Sequence, residues 1–231
     1  MKRLITTGLL VLLACASLHA QTNDGKSNDG KSQANDGKYV PDVAKAAAAE
    51  GEAAFRHKDY DRARKAYRKA LDLAPDNLVA MINLGVIEFY AGKNEDAEKL
   101  LKRAVQLKLD AAPAWLTLGI IYMEQNRLDE ALAALAQATL LDPRNARARN
   151  YLGVVVGRKG WLDGAQAELR KAVEIDPSYS DAHYNLAVFY LESKPPFFEL
   201  ARRHYYRAVE LGAEADPEIE QSLKAAPEAK P

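Results

Sequence analysis

The sequence has a single cysteine, Cys15, so no disulfide can form within the chain. It has four histidines in 231 residues and no grouping of cysteine with histidine, which excludes the usual zinc sites. An excess of one charge is also missing, because 32 basic residues balance 32 acidic ones. Balanced charge gives no electrostatic support for binding nucleic acid, and the sequence predicts no such partner.

Only one stretch is strongly apolar, and it lies near the N-terminus. Lys2 and Arg3 precede an apolar run over residues 4–14, and small residues follow. The run is too short to span a membrane stably and is typical of a secretory signal removed after Ala20, so that residues 1–20 are a signal peptide. Leu12–Cys15 also resembles a bacterial lipobox, in which Cys15 becomes lipidated. The sequence predicts an exported protein, periplasmic or secreted. The alternative is an outer-membrane lipoprotein anchored at Cys15, and only then does the protein contact a membrane.

A low-complexity segment follows over residues 21–40. Within it, Gly25–Ser32 reads GKSNDGKS and satisfies the phosphate-binding pattern G-x-x-x-x-G-K-[ST]. That loop requires a buried strand before it and a helix after it. The sequence predicts no strand before this segment and no helix-forming apolar pattern directly after it. The pentapeptide NDGKS is written twice here, and any tandem unit ending in GKS generates the match. We therefore interpret residues 21–40 as a flexible tether; a nucleotide-binding enzyme using Gly25–Ser32 is the disfavoured alternative.

Small residues then recur with a period of 34. The series are Gly51, Gly85, Gly119 and Gly153; Ala63, Ala97, Ala131 and Ala165; and Ala70, Ala104, Ala138 and Ala172. Apolar residues within each period recur at i, i+3, i+4 and i+7, which predicts two amphipathic helices joined by a tight turn. Such a hairpin buries its apolar face only by stacking on its neighbours, so the sequence predicts an all-α repeat fold.

The third period carries the most complete signature. Its residues are Trp115, Leu118, Gly119, Tyr122, Ala131, Ala138 and Pro143. This pattern resembles the tetratricopeptide repeat (TPR) family, here in an exported bacterial type. The resemblance implies a right-handed superhelical solenoid of about five hairpins in a domain over 41–213, with repeats at about 44–77, 78–111, 112–145, 146–179 and 180–213. Residues 214–231 are predicted to form a capping helix, beginning at Asp216 and Pro217, and a disordered tail.

No catalytic pattern occurs in the predicted repeat region. It has no nucleophile elbow, no H-E-x-x-H and no glycine-rich phosphate loop. We interpret His57, His183 and His204 as packing or surface residues. The sequence predicts a protein that is not an enzyme and that needs neither cofactor nor metal.

The resemblance also implies where a partner binds, since first helices of TPR hairpins line a concave groove. The corresponding positions are Phe55, Arg56, Ile82, Asn83, Val86, Phe89, Tyr90, Leu116, Ile120, Met123, Arg147, Asn150, Tyr151, Val154, Arg158, Tyr184, Asn185 and Val188. Aromatic anchors beside side-chain amides suit an extended peptide, so we expect a protein or peptide partner. Packing of helix on helix is the alternative interpretation of each residue, and a self-assembling scaffold is the alternative function.

Overall fold

A computed structural model describes residues 41–225, and these residues are helical throughout apart from short turns. The predicted signal, tether and end of the tail lie outside the described residues. The described chain divides into two compact units, residues 41–109 and residues 110–225. The first unit contains α1 (Asp42–Arg56), α2 (Tyr60–Leu73), α3 (Leu78–Tyr90) and α4 (Asn94–Leu107). The second contains α5 (Ala112–Glu124), α6 (Leu128–Leu141), α7 (Ala146–Arg158), α8 (Leu162–Ile175), α9 (Ser180–Glu192), α10 (Phe198–Glu210) and α11 (Pro217–Lys224).

The helices pack as successive pairs, α1 with α2, α3 with α4, and so on to α9 with α10. Within each unit, the second helix of one pair also packs on the first helix of the next, as α2 does on α3 and α6 does on α7. The prediction of an all-α fold of five hairpins and a terminal helix is confirmed within residues 41–225. Each hairpin is therefore stabilised by its neighbour, as a repeat fold requires.

The glycine series explains how closely the two helices of a pair approach. A Cβ placed on Gly119 would lie 2.5 Å from Cγ of Leu135, which is sixteen residues later and fully buried. The same relation joins Gly85 to Leu101 at 2.8 Å and Gly153 to Leu169 at 2.7 Å. In the first pair, the ring of Tyr67 fills the notch beside Gly51 at 2.7 Å. The glycine and the bulky residue of each repeat thus form one packing unit, since no larger residue fits the notch.

The turns within the first four hairpins share one feature of backbone conformation. Lys58, Gly92, Asn126 and Gly160 have φ values of 61°, 74°, 60° and 85°, so each turn has one residue in the left-handed region. The fifth hairpin differs, because its turn is the longer segment Ser193–Phe197. This turn overlaps the segment KPPFFEL and has two more residues than the turns of the other hairpins.

The terminal helix α11 covers the last hairpin through Ile219 and Leu223, which are 0% and 3% exposed. Asp216 fixes its start, because its Oδ1 accepts hydrogen bonds from the amides of Glu218 (2.9 Å) and Ile219 (3.3 Å). The other carboxylate oxygen accepts a hydrogen bond of 2.6 Å from the Tyr184 hydroxyl. Asp216 therefore caps α11 and also ties it to α9.

We expect Asp216→Ala to release α11 from the rest of the unit. The substitution removes the helix cap, worth about 1 kcal/mol, and leaves the Tyr184 hydroxyl without its acceptor, worth about 1–3 kcal/mol. Amide hydrogen exchange should therefore rise across residues 217–224 by at least about tenfold. Asp216→Asn keeps an acceptor oxygen and should show a smaller increase. Equal exchange in wild type and Asp216→Ala would contradict the proposed role of the cap.

Candidate functional site

The first helices of the hairpins also contact one another within each unit. Helix α1 touches α3 in the first unit, and α5, α7 and α9 follow one another in the second. These helices carry the residues predicted to bind a partner. Their shared surface, which we call the first-helix face, is the candidate site in each unit.

Most of the predicted groove residues are packed inside. Twelve are buried, namely Phe55, Ile82, Asn83, Leu116, Ile120, Met123, Asn150, Tyr151, Val154, Tyr184, Asn185 and Val188. Six are half-buried or exposed, namely Arg56, Val86, Phe89, Tyr90, Arg147 and Arg158. A partner could reach the second set without rearranging the fold. Which of these residues bind a partner stays a prediction.

The asparagines expected to bind a peptide backbone instead bond to other side chains. Asn83 donates a 2.9 Å hydrogen bond to the hydroxyl of Tyr67, across α2 and α3. Asn185 donates at 3.0 Å to Oδ1 of Asn150, which in turn donates at 3.4 Å to the Tyr179 hydroxyl. Burial raises the pKa of that tyrosine, so the hydroxyl keeps its proton. These contacts give the asparagines a structural role in joining successive hairpins.

In the unit of residues 41–109, the accessible part of the face is apolar and aromatic. The rings of Phe89 and Tyr90 lie 5.2 Å apart at a tilt of 54°, and Val86 lies one turn before them. Tyr90 is 38% exposed although it is large and apolar over most of its surface. Arg56 lies 3.7 Å from Glu52 in an exposed ion pair of little energetic weight. The aromatic pair is thus the main anchor that this unit offers.

A buried carboxylate beside that pair was missed in the sequence. Glu88, on α3, is 1% exposed and its carboxylate contacts arginines of α2. Its Oε1 lies 2.7 Å from an Arg68 nitrogen and 3.2 Å from Nε of Arg64, and its Oε2 lies 3.5 Å from Nζ of Lys93. Three cations thus form ion pairs with this one buried carboxylate. The sequence gives no signal for it, because Arg64 and Arg68, which lie closest to this carboxylate, are on a different helix.

In the unit of residues 110–225, arginines provide the accessible groups. The Arg147 guanidinium carbon lies 5.5 Å from the ring centre of Tyr151, a distance suited to a cation–π contact. Arg158 donates to the Met123 carbonyl at 3.0 Å and to Oδ1 of Asn126 at 2.8 Å, so it bridges two hairpins. Burial raises the pKa of Glu124, at the end of α5. This part of the face is therefore more polar than that of the first unit.

A pair of histidines joins the two helices of the last hairpin. Nδ1 of His183 lies 2.9 Å from Nδ1 of His204, and Nε2 of His183 donates to the Pro177 carbonyl at 3.2 Å. The shared contact holds one proton, since two facing N–H groups would repel each other. Burial, the other ring and Arg203 lower the pKa of His204 to about 4, and burial lowers the pKa of His183.

Because the pKa values of both histidines are lowered, we expect the protein to lose stability in acid. Both pKa values are lowered in the folded state, so below the unfolded value of about 6.5 the unfolded chain binds protons that the folded chain does not. The stabilisation is present above pH 6.5 and is lost as pH falls toward 4. We expect the free energy of unfolding in urea to drop by about 1 kcal/mol between pH 7.5 and pH 5, a figure reduced for partial exposure. A double variant, His183→Gln with His204→Leu, should lose much of this dependence; an unchanged slope would contradict it.

Among residues 41–225, no cluster of three or more histidine, cysteine, aspartate or glutamate side chains is placed to hold a metal ion. No helix in the same range has the length and apolar character needed to cross a bilayer.

Comparison with known proteins supports the repeat interpretation. A family profile for the C-terminal domain of cilia and flagella-associated protein 70, a TPR domain, matches residues 9–176, and a tetratricopeptide repeat profile matches residues 168–210. A search of curated proteins finds no match.

Solved structures with the same fold are numerous. The crystal structure of MamA is 27% identical, with a TM-score of 0.60 over 70% of this chain and 93% of that chain. The pilF protein of Pseudomonas aeruginosa is 20% identical, with a TM-score of 0.66 over 75% of this chain and 78% of that chain. YrrB, described as a TPR protein with an unusual peptide-binding site, is 23% identical, with a TM-score of 0.60 over 76% and 89%. The paired helices, the period of 34 and the profile match over well over half of the sequence together show that this chain belongs to the tetratricopeptide repeat family.

Proposed function

We propose that the protein is a non-enzymatic scaffold of the cell envelope that binds a partner protein or peptide on its first-helix face. Membership of the TPR family supports an interaction role, because such repeats present surfaces rather than catalytic groups. The observation that carries the proposal is the aromatic pair of Phe89, which is half-buried, and Tyr90, which is exposed, beside Val86. Rigid aromatic side chains are the usual anchors of protein interfaces.

The aromatic pair of Phe89 and Tyr90 is held in position before any partner binds. The buried Glu88, held by Arg64 and Arg68 of α2, fixes the turn of α3 that carries Phe89 and Tyr90. An anchor that is already ordered loses little conformational entropy when a partner binds. A peptide running along α1 and α3 would meet this aromatic pair.

Site-specific photo-cross-linking tests the proposal. A photoreactive phenylalanine analogue is placed at Tyr90 or at Arg147, one on the first-helix face of each unit. Matched controls carry it at Leu107 on α4 and at Leu140 on α6, which are 47% and 72% exposed. Irradiation in the producing cell should join Tyr90 to a separate protein and leave the control positions unlabelled.

Two outcomes would overturn the binding proposal. Cross-links formed only from Leu107 or Leu140 would place the binding surface on the second helices. Cross-links from Tyr90 to a second copy of the chain would favour a self-assembling scaffold. The peptide mass of the cross-linked product distinguishes these cases.

We propose export from the features of residues 1–20, independently of the binding site. Cleavage after Ala20 predicts a mature chain that begins at Gln21. Intact-mass measurement of protein from an envelope fraction should give that mass. A lipidated product beginning at Cys15, lost in Cys15→Ser, would establish the anchored alternative, and an uncleaved chain would contradict export.

A further inference from the structure

Two imidazole rings face each other between α9 and α10, the helices of the last hairpin. Nδ1 of His183 lies 2.9 Å from Nδ1 of His204, and the ring centres are 5.1 Å apart. His183 is buried and His204 is half-buried, so solvent reaches the pair through His204. Neither residue is among the predicted groove residues. Imidazole nitrogens are common metal ligands, and two of them in contact form a candidate metal site.

The histidine pair is specific to the last hairpin. In the second hairpin, the same two repeat positions hold Met81 and Leu100, which are apolar. In the fourth hairpin they hold Arg149 and Glu168, which form an ion pair of 2.7 Å. Packing of the two helices is thus achieved elsewhere in the chain without histidine. The pair therefore needs an explanation beyond the repeat itself.

One ring is already oriented as metal-binding imidazoles usually are. Nε2 of His183 donates a hydrogen bond of 3.2 Å to the carbonyl of Pro177. A carbonyl only accepts, so this nitrogen carries the proton of the neutral ring and Nδ1 presents a lone pair. A backbone carbonyl bonded to the second ring nitrogen is a frequent feature of metal-bound histidine, because it fixes the tautomer and the direction of the ring.

The second ring can adopt the matching tautomer. Nδ1 of His204 now donates its proton to Nδ1 of His183, and binding of a metal requires that proton to move to Nε2 of His204 through solvent. The ring stays neutral in the exchange, and both Nδ1 lone pairs become available. Burial lowers the pKa of each ring, which favours the neutral form that metals bind.

The separation of the rings suits a single ion. Imidazole nitrogens bind zinc at about 2.0–2.1 Å, which places the ion about 3.2 Å from each ring centre. With the ring centres kept 5.1 Å apart, rotation of the rings aims both lone pairs at one ion. The angle between the two nitrogens at the ion would then be about 105°, which is close to tetrahedral.

The charges around the pair set a limit on affinity. Arg203 and Arg207 lie near His183 and oppose a dication, whereas Asp176 favours it. Arg207 is also paired with Glu210 at 3.0 Å, which offsets part of its charge. About one positive charge is left in excess, so we expect binding weaker than that of a site with three or four protein ligands.

We propose that His183 and His204 bind one divalent transition-metal ion, such as zinc or copper, and that the ion links α9 to α10. Imidazole suits these metals, whereas magnesium and calcium prefer oxygen ligands. Within residues 41–225 no larger cluster of metal-binding side chains occurs, so water completes the coordination of the ion. This site does not depend on the first-helix face, and either can fail without the other.

Isothermal titration of the full chain with zinc chloride at pH 7.5 tests the proposal. We expect saturable binding to the wild type with a Kd on the order of 1–100 µM. His204→Gln should weaken binding at least about tenfold, since it removes one of two ligands. His57→Gln is the matched control, because His57 is exposed in the first turn and should leave the Kd unchanged. Magnesium chloride at the same concentrations should give no binding.

Amide hydrogen exchange locates the ion. Zinc should slow exchange in α9 and α10 of the wild type, because an ion that binds only the folded hairpin stabilises it. Exchange in α1–α4 should not change. Circular dichroism first confirms that His204→Gln is folded; if it is not, the exchange pattern of the wild type still decides the question.

Four results would overturn the proposal. The first is a titration of the wild type without saturable binding up to about 1 mM zinc, ten times the upper expected Kd. The second is an equal Kd in the wild type and folded His204→Gln. The third is an equal loss of binding in His57→Gln, which would place the ion elsewhere. The fourth is zinc-dependent protection that does not include α9 and α10.

Discussion

Replacing Gly119 with leucine is expected to lower the free energy of unfolding by about 3 kcal/mol or more. A Cβ alone at this position would lie 2.5 Å from Cγ of Leu135 and 3.3 Å from its backbone nitrogen. Overpacking a core usually costs about 1–3 kcal/mol, and the upper end applies because a backbone atom would also have to move. Urea denaturation followed by circular dichroism measures the loss.

A control and a rescue make this experiment specific. Ala136→Leu adds a side chain of the same size at an exposed position of α6 and should change stability by less than about 0.5 kcal/mol. Leu135→Ala alone should cost about 2–5 kcal/mol through the cavity it leaves. Combined with Gly119→Leu, it should cost less than the sum, since the new leucine enters the vacated space. A neutral Gly119→Leu or strict additivity would show that these residues do not share one notch.

The second large effect is expected for Tyr67→Ala, which we predict to lower the free energy of unfolding by about 5 kcal/mol. Its ring is 0% exposed and fills the notch beside Gly51, and loss of such a ring costs about 3–5 kcal/mol. Its hydroxyl accepts the buried hydrogen bond of Asn83, and the loss of that bond adds about 1 kcal/mol. A loss of this size approaches the whole stability of a small unit, so residues 41–109 should unfold first.

Two variants separate the ring from the hydroxyl. Tyr67→Phe keeps the ring and should cost only about 1–2 kcal/mol. Tyr206→Ala removes a ring that is 47% exposed and should cost less than about 1 kcal/mol. Amide exchange by mass spectrometry locates the destabilised helices. Loss of protection confined to residues 110–225 in Tyr67→Ala would contradict the packing described here.

Much of this fold is predictable because its rules are local and periodic. The spacing of Gly119 and Ala131 fixes which faces of two helices meet, and the period repeats that information several times. Asp216 and Pro217 predict the start of α11 from capping chemistry alone. Each of these features depends on residues close together in sequence.

The candidate site is less predictable, because exposure depends on contacts between hairpins. Asn83 and Asn185 occupy groove positions of the repeat. Their side-chain amides nevertheless donate hydrogen bonds within the fold, Asn83 to Tyr67 and Asn185 to Asn150. Repeat position alone does not reveal the identity of the residue on the neighbouring helix. The buried Glu88 was missed for a related reason, since the arginines that pair with it lie on the neighbouring helix α2.

The contacts of α11 also determine how this array could grow. A duplicated hairpin inserted after residue 211 would have to displace α11, expose Ile219 and Leu223 and break the bond between Asp216 and Tyr184. A hairpin inserted between residues 145 and 146 would meet α6 and α7, whose surfaces already pair in the way that every hairpin requires. Gene duplication or design can therefore lengthen the array more easily by inserting a hairpin at an internal position. Adding one after α10 would require the contacts of α11 to break.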